Sequence, residues 1–163
     1  MKNFCDCMEN SVVYPILIKN KGNSYITLYY YTEHSDSILH NTTKNLLCFQ
    51  STDEMVLFCE NNELKIENDI VEYDFDTPIS NPIDYKRVLE NWNLLNTIAN
   101  SFGMFFEGDL KKYNPLYDLL FRLNTPIKPI PPTYDVGEKY YSYILRVFRK
   151  KDRFLDRFEL YQK

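Results

Sequence analysis

The chemistry available to this chain is best judged first from its titratable and nucleophilic residues. The only two histidines, His34 and His40, lie six apart in a polar stretch. That spacing suits neither one face of a helix nor one face of a strand, so exposed loop histidines are expected rather than a metal pair or a general base. Asp74 and Asp76 stand two apart and share a face if the backbone is extended, where a carboxylate pair can approach a divalent cation. Acids along a strand also keep a sheet edge soluble, and this plainer role is the one expected. Cys5 and Cys7 are too close together for a zinc knuckle. Cys48 sits in an apolar run and Cys59 on an apolar helical face, where free thiols act as small hydrophobes. With four glycines the chain cannot build a glycine-rich phosphate loop, and no serine occupies a nucleophile elbow. Neither catalysis nor a bound metal or other cofactor is expected. An enzyme with an unrecognised site is the third-ranked alternative, which a metal in the purified protein would favour.

Charge is more informative than any single motif. The net charge is −4, yet residues 53–76 hold nine acids against Lys65 alone. Such crowding destabilises a folded state through self-repulsion. A cationic partner accounts for it, because complementary fields steer association and suppress wrong pairings. The candidate contact residues are Glu67, Asp69, Glu72, Tyr73, Asp74 and Asp76. From Glu138 onward the balance reverses, with eight bases against four acids. Arg146, Arg149, Lys150, Arg153 and Arg157 recur at three- and four-residue spacing, a stripe that can touch phosphates. The alternative is a solvated face neutralised by Asp152, Asp156 and Glu159. The acidic total favours the second, which leaves direct nucleic-acid binding as the runner-up function.

These residues need elements to position them. Ser11–Ile18 and Ser24–Tyr31 are β-branched, apolar runs flanking Asn20-Lys21-Gly22-Asn23, a hairpin signature. In the second run Ile26, Leu28 and Tyr30 share one face, and Tyr25, Thr27, Tyr29 and Tyr31 the other. The tyrosine row is expected to be a cross-strand ladder or a helix-packing face, with a partner site as the sharper alternative. Thr32–Asn45 reads as a loop and Leu46–Gln50 as a short strand. Ser51-Thr52-Asp53-Glu54 is a capping box opening a helix that ends at Asn61-Asn62. Leu64–Asn68 and Ile70–Phe75 read as extended, the latter with Val71, Tyr73 and Phe75 alternating against acids. Asn81, with Pro82 after it, is expected to cap a helix whose buried stripe holds Tyr85, Val88, Trp92, Leu95, Ala99 and Phe102, and which Gly103 ends. Asn114-Pro115 opens the next helix, with Leu116, Leu119, Leu120 and Leu123 inward. Four prolines in residues 124–132 dictate an extended connector. A last helix follows Asp135–Glu138, with Tyr141, Ile144, Leu145, Phe148 and Leu155 on one side.

Strands first and helices later give an α+β fold. The expected form is a small, mostly antiparallel sheet with an N-terminal hairpin, packed by three to four helices mainly in the C-terminal half. One domain over residues 1–163 is expected, with 1–10 a flexible lead. Met1–Asn10 has no apolar stretch of seven residues, and no run approaches the ~18 apolar residues of a membrane span, so a cytoplasmic protein without membrane contact is expected.

Two segments carry a family resemblance. Leu46-Leu47-Cys48-Phe49-Gln50-Ser51-Thr52-Asp53-Glu54 with Phe58 is similar to the strand and capped helix of many bacterial immunity proteins. Val88-Leu89-Glu90-Asn91-Trp92-Asn93-Leu94-Leu95, followed by Tyr117-Asp118-Leu119-Leu120-Phe121, resembles the later part of contact-dependent growth inhibition immunity proteins, where a Trp-Asn-Leu helix precedes a Tyr-Asp-x-Leu-Phe helix. The resemblance spans residues 46–123. It implies a protein that binds the C-terminal toxin domain delivered by a neighbouring cell and neutralises it by stoichiometric occlusion of its active site. A nuclease is the expected toxin, since nucleases have basic clefts that an acidic face would plug. Toxin contacts vary within these families, so the resemblance implies no particular site residues.

Overall fold

The computed structural model describes residues 12–125 and 131–162. The expected flexible lead, the Cys5–Cys7 pair and the middle of the proline-rich connector lie outside the described residues. Strands β1 (Val12–Asn20) and β2 (Asn23–Tyr31) form the expected hairpin, closing on the pair Asn20 and Asn23. Its two turn residues, Lys21 and Gly22, have φ of 53° and 72°, the doubly left-handed turn that matches the twist of paired strands. Glycine adopts such an angle without strain. The segment read as a loop contains a short strand, β3 (Asp36–Ile38), antiparallel to the end of β2. Three residues are too few for an alternating pattern to show in the sequence.

Strand β4 (Leu46–Cys48) leads into helix α1 (Thr52–Asn61) through the predicted cap. The Glu54 amide donates to Ser51 Oγ at 3.2 Å, and the Glu54 carboxylate accepts from the Gln50 amide at 2.8 Å. Beyond α1, β5 (Lys65–Ile66) and β6 (Val71–Asp74) each pair parallel with β1. The sheet is therefore mixed, with order β3-β2-β1 and β5 and β6 sharing the far side of β1. Pro15 sits at their junction. The carbonyls of Val13 and Lys19 accept from the Glu67 and Phe75 amides on that side, so alternation turns the Pro15 nitrogen the same way, between the two ladders.

Both faces of the sheet are covered. Ile26, Leu28 and Tyr30 pack with Phe49 and with Met55, Phe58 and Cys59 of α1. Ile16, Ile18 and Tyr25 pack against helix α2 (Tyr85–Phe102), whose Val88, Trp92, Leu95, Ala99 and Phe102 form the expected buried stripe. Gly103 ends α2 in the left-handed conformation at φ 65°. The start of α2 differs from expectation. Asp84, not Asn81, is the cap, accepting from the Arg87 amide at 3.1 Å. The Asn81–Pro82 peptide is cis, and the Asn81 side chain is committed to Asp135, donating at 2.9 Å.

Helix α3 (Asn114–Asn124) packs on α2 with Leu116, Leu120 and Leu123 inward. The expected long final helix is two: α4 (Glu138–Arg149) and the short α5 (Asp152–Leu155), followed by strand β7 (Phe158–Leu160). The break falls where the chain is held to the hairpin tip. Lys151 Nζ donates to Asn20 Oδ1, and Asp152 accepts from Asn20 Nδ2 at 3.0 Å. Lys21 reaches Asp152 and Asp156 at 3.5 and 2.7 Å, and the Tyr25 hydroxyl donates to the Leu155 carbonyl. Strand β7 then pairs parallel with β4 in a second, two-stranded sheet. Cys48 and Cys59 are free and buried, and burial pushes the Cys59 thiol up to about 11.

Candidate binding face

The six predicted contact residues lie along one margin of the sheet, but they do different things. Glu67 is half-buried and pairs with Lys65 at 3.0 Å, while exposed Glu72 pairs with Lys19 at 3.0 Å. Asp69, between β5 and β6, is exposed. Asp74 is half-buried and turned inward on its own chain. Its carboxylate accepts from the Asp76 amide at 2.8 Å and from the Thr77 amide and hydroxyl. The Thr77 hydroxyl, together with those amides, holds the Asp74 carboxyl below the usual aspartate range. Asp76 accepts from the Gly22 amide at 3.1 Å and so braces the hairpin turn. Asp74 and Asp76 thus hold a turn together instead of presenting a matched pair of free carboxylates. Among the described residues no group of three or more His, Cys, Asp or Glu side chains is placed to hold a metal ion.

Asp74 carries a prediction about acid stability. Its carboxyl is held low in the folded state, so its contribution is fully present above the ordinary aspartate pKa near 3.9 and is lost as pH falls through the lower folded value. Asp74→Asn is expected to lower the thermal midpoint at pH 6, and the gap from wild type should close as pH falls toward 3. A gap that stays constant across a melting series in that range would show that the charge has no part in the turn.

Tyr73 leads to a wide concavity on this side. Its ring stands on the same sheet face as Ile18, its partner in β1, and it opens onto a cleft of about 610 Å³ between the sheet and α2. On the sheet wall Tyr14 lies opposite Tyr29, and the Tyr31 ring stands edge-on to both at 5.5 and 5.4 Å. The other wall is α2, through Glu90, Asn93, Leu94 and Thr97. Tyr117 of α3 closes one side, its hydroxyl donating to Asn93 Oδ1 at 2.9 Å. Burial, and then the neighbouring Glu90 carboxylate, push the Tyr73 hydroxyl up. The tyrosine row is therefore neither a plain ladder nor a dry packing face: Tyr25 is buried in the core while Tyr29 and Tyr31 line a cleft.

Sequence reading did not find the rest of this wall. Tyr14 was accessible in principle, because a two-residue turn closing on Asn20 and Asn23 fixes Tyr14 opposite Tyr29. Glu90, Asn93, Leu94 and Thr97 fall at helical spacing, but only tertiary placement shows that the sheet faces them.

The basic residues of the last helices also differ from expectation. The acids expected to neutralise them are engaged elsewhere: Asp152 and Asp156 with Lys21, and Glu159 accepting from Asn41 Nδ2 at 2.6 Å. Lys150 pairs with Glu107 at 2.8 Å. Arg146, Arg149, Arg153 and Arg157 are exposed and, among the described residues, make no ion pair.

Together these elements define an α+β fold in which a mixed sheet carries helices on both faces. That fold is shared with a solved structure, the C-terminal domain of SatS in complex with bromine. The two superpose with a TM-score of 0.57 over 91% of this chain and 94% of that one, at 15% sequence identity. At that identity the likeness is one of fold alone. No protein-family model matches the chain, and no curated protein matches it. No helix among the described residues is long and apolar enough to cross a membrane.

Proposed function

We propose that this chain is an immunity-type protein of the bacterial cytoplasm, which binds a cationic toxin domain and neutralises it by occluding its active site. The observation that carries the proposal is the margin formed by β5 and β6. Among the described residues β6 pairs only with β1; exposed Asp69 sits between Asn68 and Val71, which line the cleft that Tyr73 enters, whereas Glu72 alternates onto the other face of the sheet, beside Lys19. A margin that joins exposed carboxylates to a partly buried tyrosine is chemically suited to a basic protein partner. The charge steers encounter, and the rings supply contact area with few rotamers to order. The contacting set is narrower than the sequence suggested. Asp69 and Tyr73 are open to a partner, Glu72 is exposed but shared with Lys19, Glu67 is shared with Lys65, and Asp74 and Asp76 support the loop beneath.

A second reading rests on the four exposed arginines of the C-terminal region, which make no ion pair among the described residues and would suit phosphates. It predicts binding of the pure protein to RNA or DNA that weakens steeply with salt.

Growth distinguishes the two. Expression of the toxin domain encoded beside this chain is expected to arrest growth, and co-expression of this chain to restore it. Restored growth with Asp69→Lys and Glu72→Lys together, but lost growth with Arg149→Glu and Arg153→Glu together, would move the contact to the basic face. No protection by the wild type against that toxin would remove the immunity reading.

A further inference from the structure

The tyrosine cleft has a chemistry of its own, separable from whether the partner is a toxin. Its lining includes five tyrosines, contributed by β1, β2, β6 and α3. Two carboxylates, Asp36 and Glu90, stand at it, and among the described residues no lysine, arginine or histidine does. Neither carboxylate makes an ion pair among the described residues. Asn96 is also in the wall, and its side-chain oxygen is buried with no hydrogen-bond partner among the described residues. The rings are set at angles rather than stacked: Tyr31 meets Tyr14 and Tyr29 at 79° each. Walls at right angles present ring faces as well as edges to the space between, and a ring face attracts a cation.

We propose that this cleft is a receptor for a guanidinium group on an alkyl stem, the chemistry of an arginine side chain. The planar cation stacks on the tyrosine rings, and its five N–H donors meet the Glu90 and Asp36 carboxylates. The stem lies against Ile16, Val71 and Leu94, the aliphatic part of the lining. A cleft of this size holds far more than one side chain, so the bound cation belongs to a larger ligand. Two sources share the chemistry: a free alkyl-guanidine, or an arginine on a protein partner. The second agrees with the acidic margin next to it.

The test needs no toxin. Amide chemical shifts of the labelled, full-length protein are followed while agmatine, or a capped tripeptide with central arginine, is added. Saturable shifts at Tyr31, Tyr73, Glu90 and Asn96 are expected, with a dissociation constant on the order of 1 mM. The same tripeptide with citrulline, which keeps the shape and removes the charge, is expected to bind at least about tenfold more weakly, a loss of about 1.4 kcal/mol. Tyr31→Ala and Glu90→Gln, both at exposed positions, are expected to weaken the arginine probes about tenfold while leaving the thermal midpoint in place. Agmatine binding more tightly than the peptide assigns the site to a free guanidine, and the reverse order assigns it to a protein side chain. Equal binding of the citrulline peptide, or shifts that never saturate or fall outside the cleft, overturns the proposal. Failure of toxin binding with intact arginine binding would remove the immunity reading and leave this site standing.

Discussion

Trp92→Ala is expected to lower the unfolding free energy by about 3–5 kcal/mol, the range for removing a large aromatic from a packed core. Trp92 is 2% exposed and ringed by aromatics: Phe106 at 6.0 Å, Tyr113 at 6.2 Å, and Tyr117 and Phe148 at 6.3 Å. These neighbours come from the 3-10 region after α2, from α3 and from α4, so one side chain contacts all three segments from the central helix. The thermal midpoint is expected to fall by on the order of 10 °C. Gly108→Ala disturbs the same place from outside. A β-carbon there would lie 2.4 Å from Phe106 and 2.9 Å from Trp92, so the rings must shift. Urea unfolding followed by circular dichroism measures both. A loss below about 1 kcal/mol for Trp92→Ala would show that this residue is not the keystone of the helical layer.

Reversing Asp69 and Glu72 together to lysine is expected to slow capture of the toxin domain by at least about tenfold at low ionic strength. Both side chains are exposed, and neither makes a backbone contact that holds the fold. Asp74 is deliberately spared, because its carboxylate organises the turn through Thr77 and its loss would confuse binding with folding. Each exposed substitution should stay within about 0.5 kcal/mol of wild-type stability. The wild-type rate should itself fall as salt rises, since exposed charges are screened beyond about 8 Å at physiological ionic strength. Arg149→Glu with Arg153→Glu is the control, and should leave the rate unchanged or raise it. Stopped-flow mixing at several salt concentrations reads all three proteins. A charge-reversed margin that captures toxin as fast as wild type would exclude β5 and β6 from the encounter surface.

Much of the architecture follows from local sequence rules. The hairpin turn, the Ser51–Glu54 cap and the stripe around Trp92 each combine a local conformational preference with a periodic apolar pattern, and all three form as expected. The departures occur where a distant contact outweighs the local preference. The final helix has the period to continue, yet it breaks at Lys150 and Lys151, where the hairpin tip offers Asn20 and Lys21 as partners. Strand β7 is three residues long and gains its identity from β4, more than a hundred positions earlier. Asp84 takes the cap expected of Asn81 because Asn81 is held by Asp135 across the connector.

The candidate site was legible only in its charge. Composition located the acidic block but gave no means of separating Asp69 and Glu72, which face outward, from Asp74 and Asp76, which are consumed by a turn. That distinction depends on where the chain bends after β6. The cleft was half visible, as a row of tyrosines on one strand face. Its other half belongs to α2 and α3, and Glu90, Asn93 and Tyr117 meet the row only after the helices dock.

The most direct measurement titrates this chain into a fixed amount of the toxin domain proposed as its partner and follows hydrolysis of RNA and DNA substrates. Toxin activity is expected to fall linearly and reach zero at one equivalent, since a tight plug acts by stoichiometry rather than turnover. The Asp69→Lys and Glu72→Lys double variant should need excess protein or longer incubation to reach the same end point. Toxin activity that persists beyond several equivalents of correctly folded wild-type protein would contradict the proposed function.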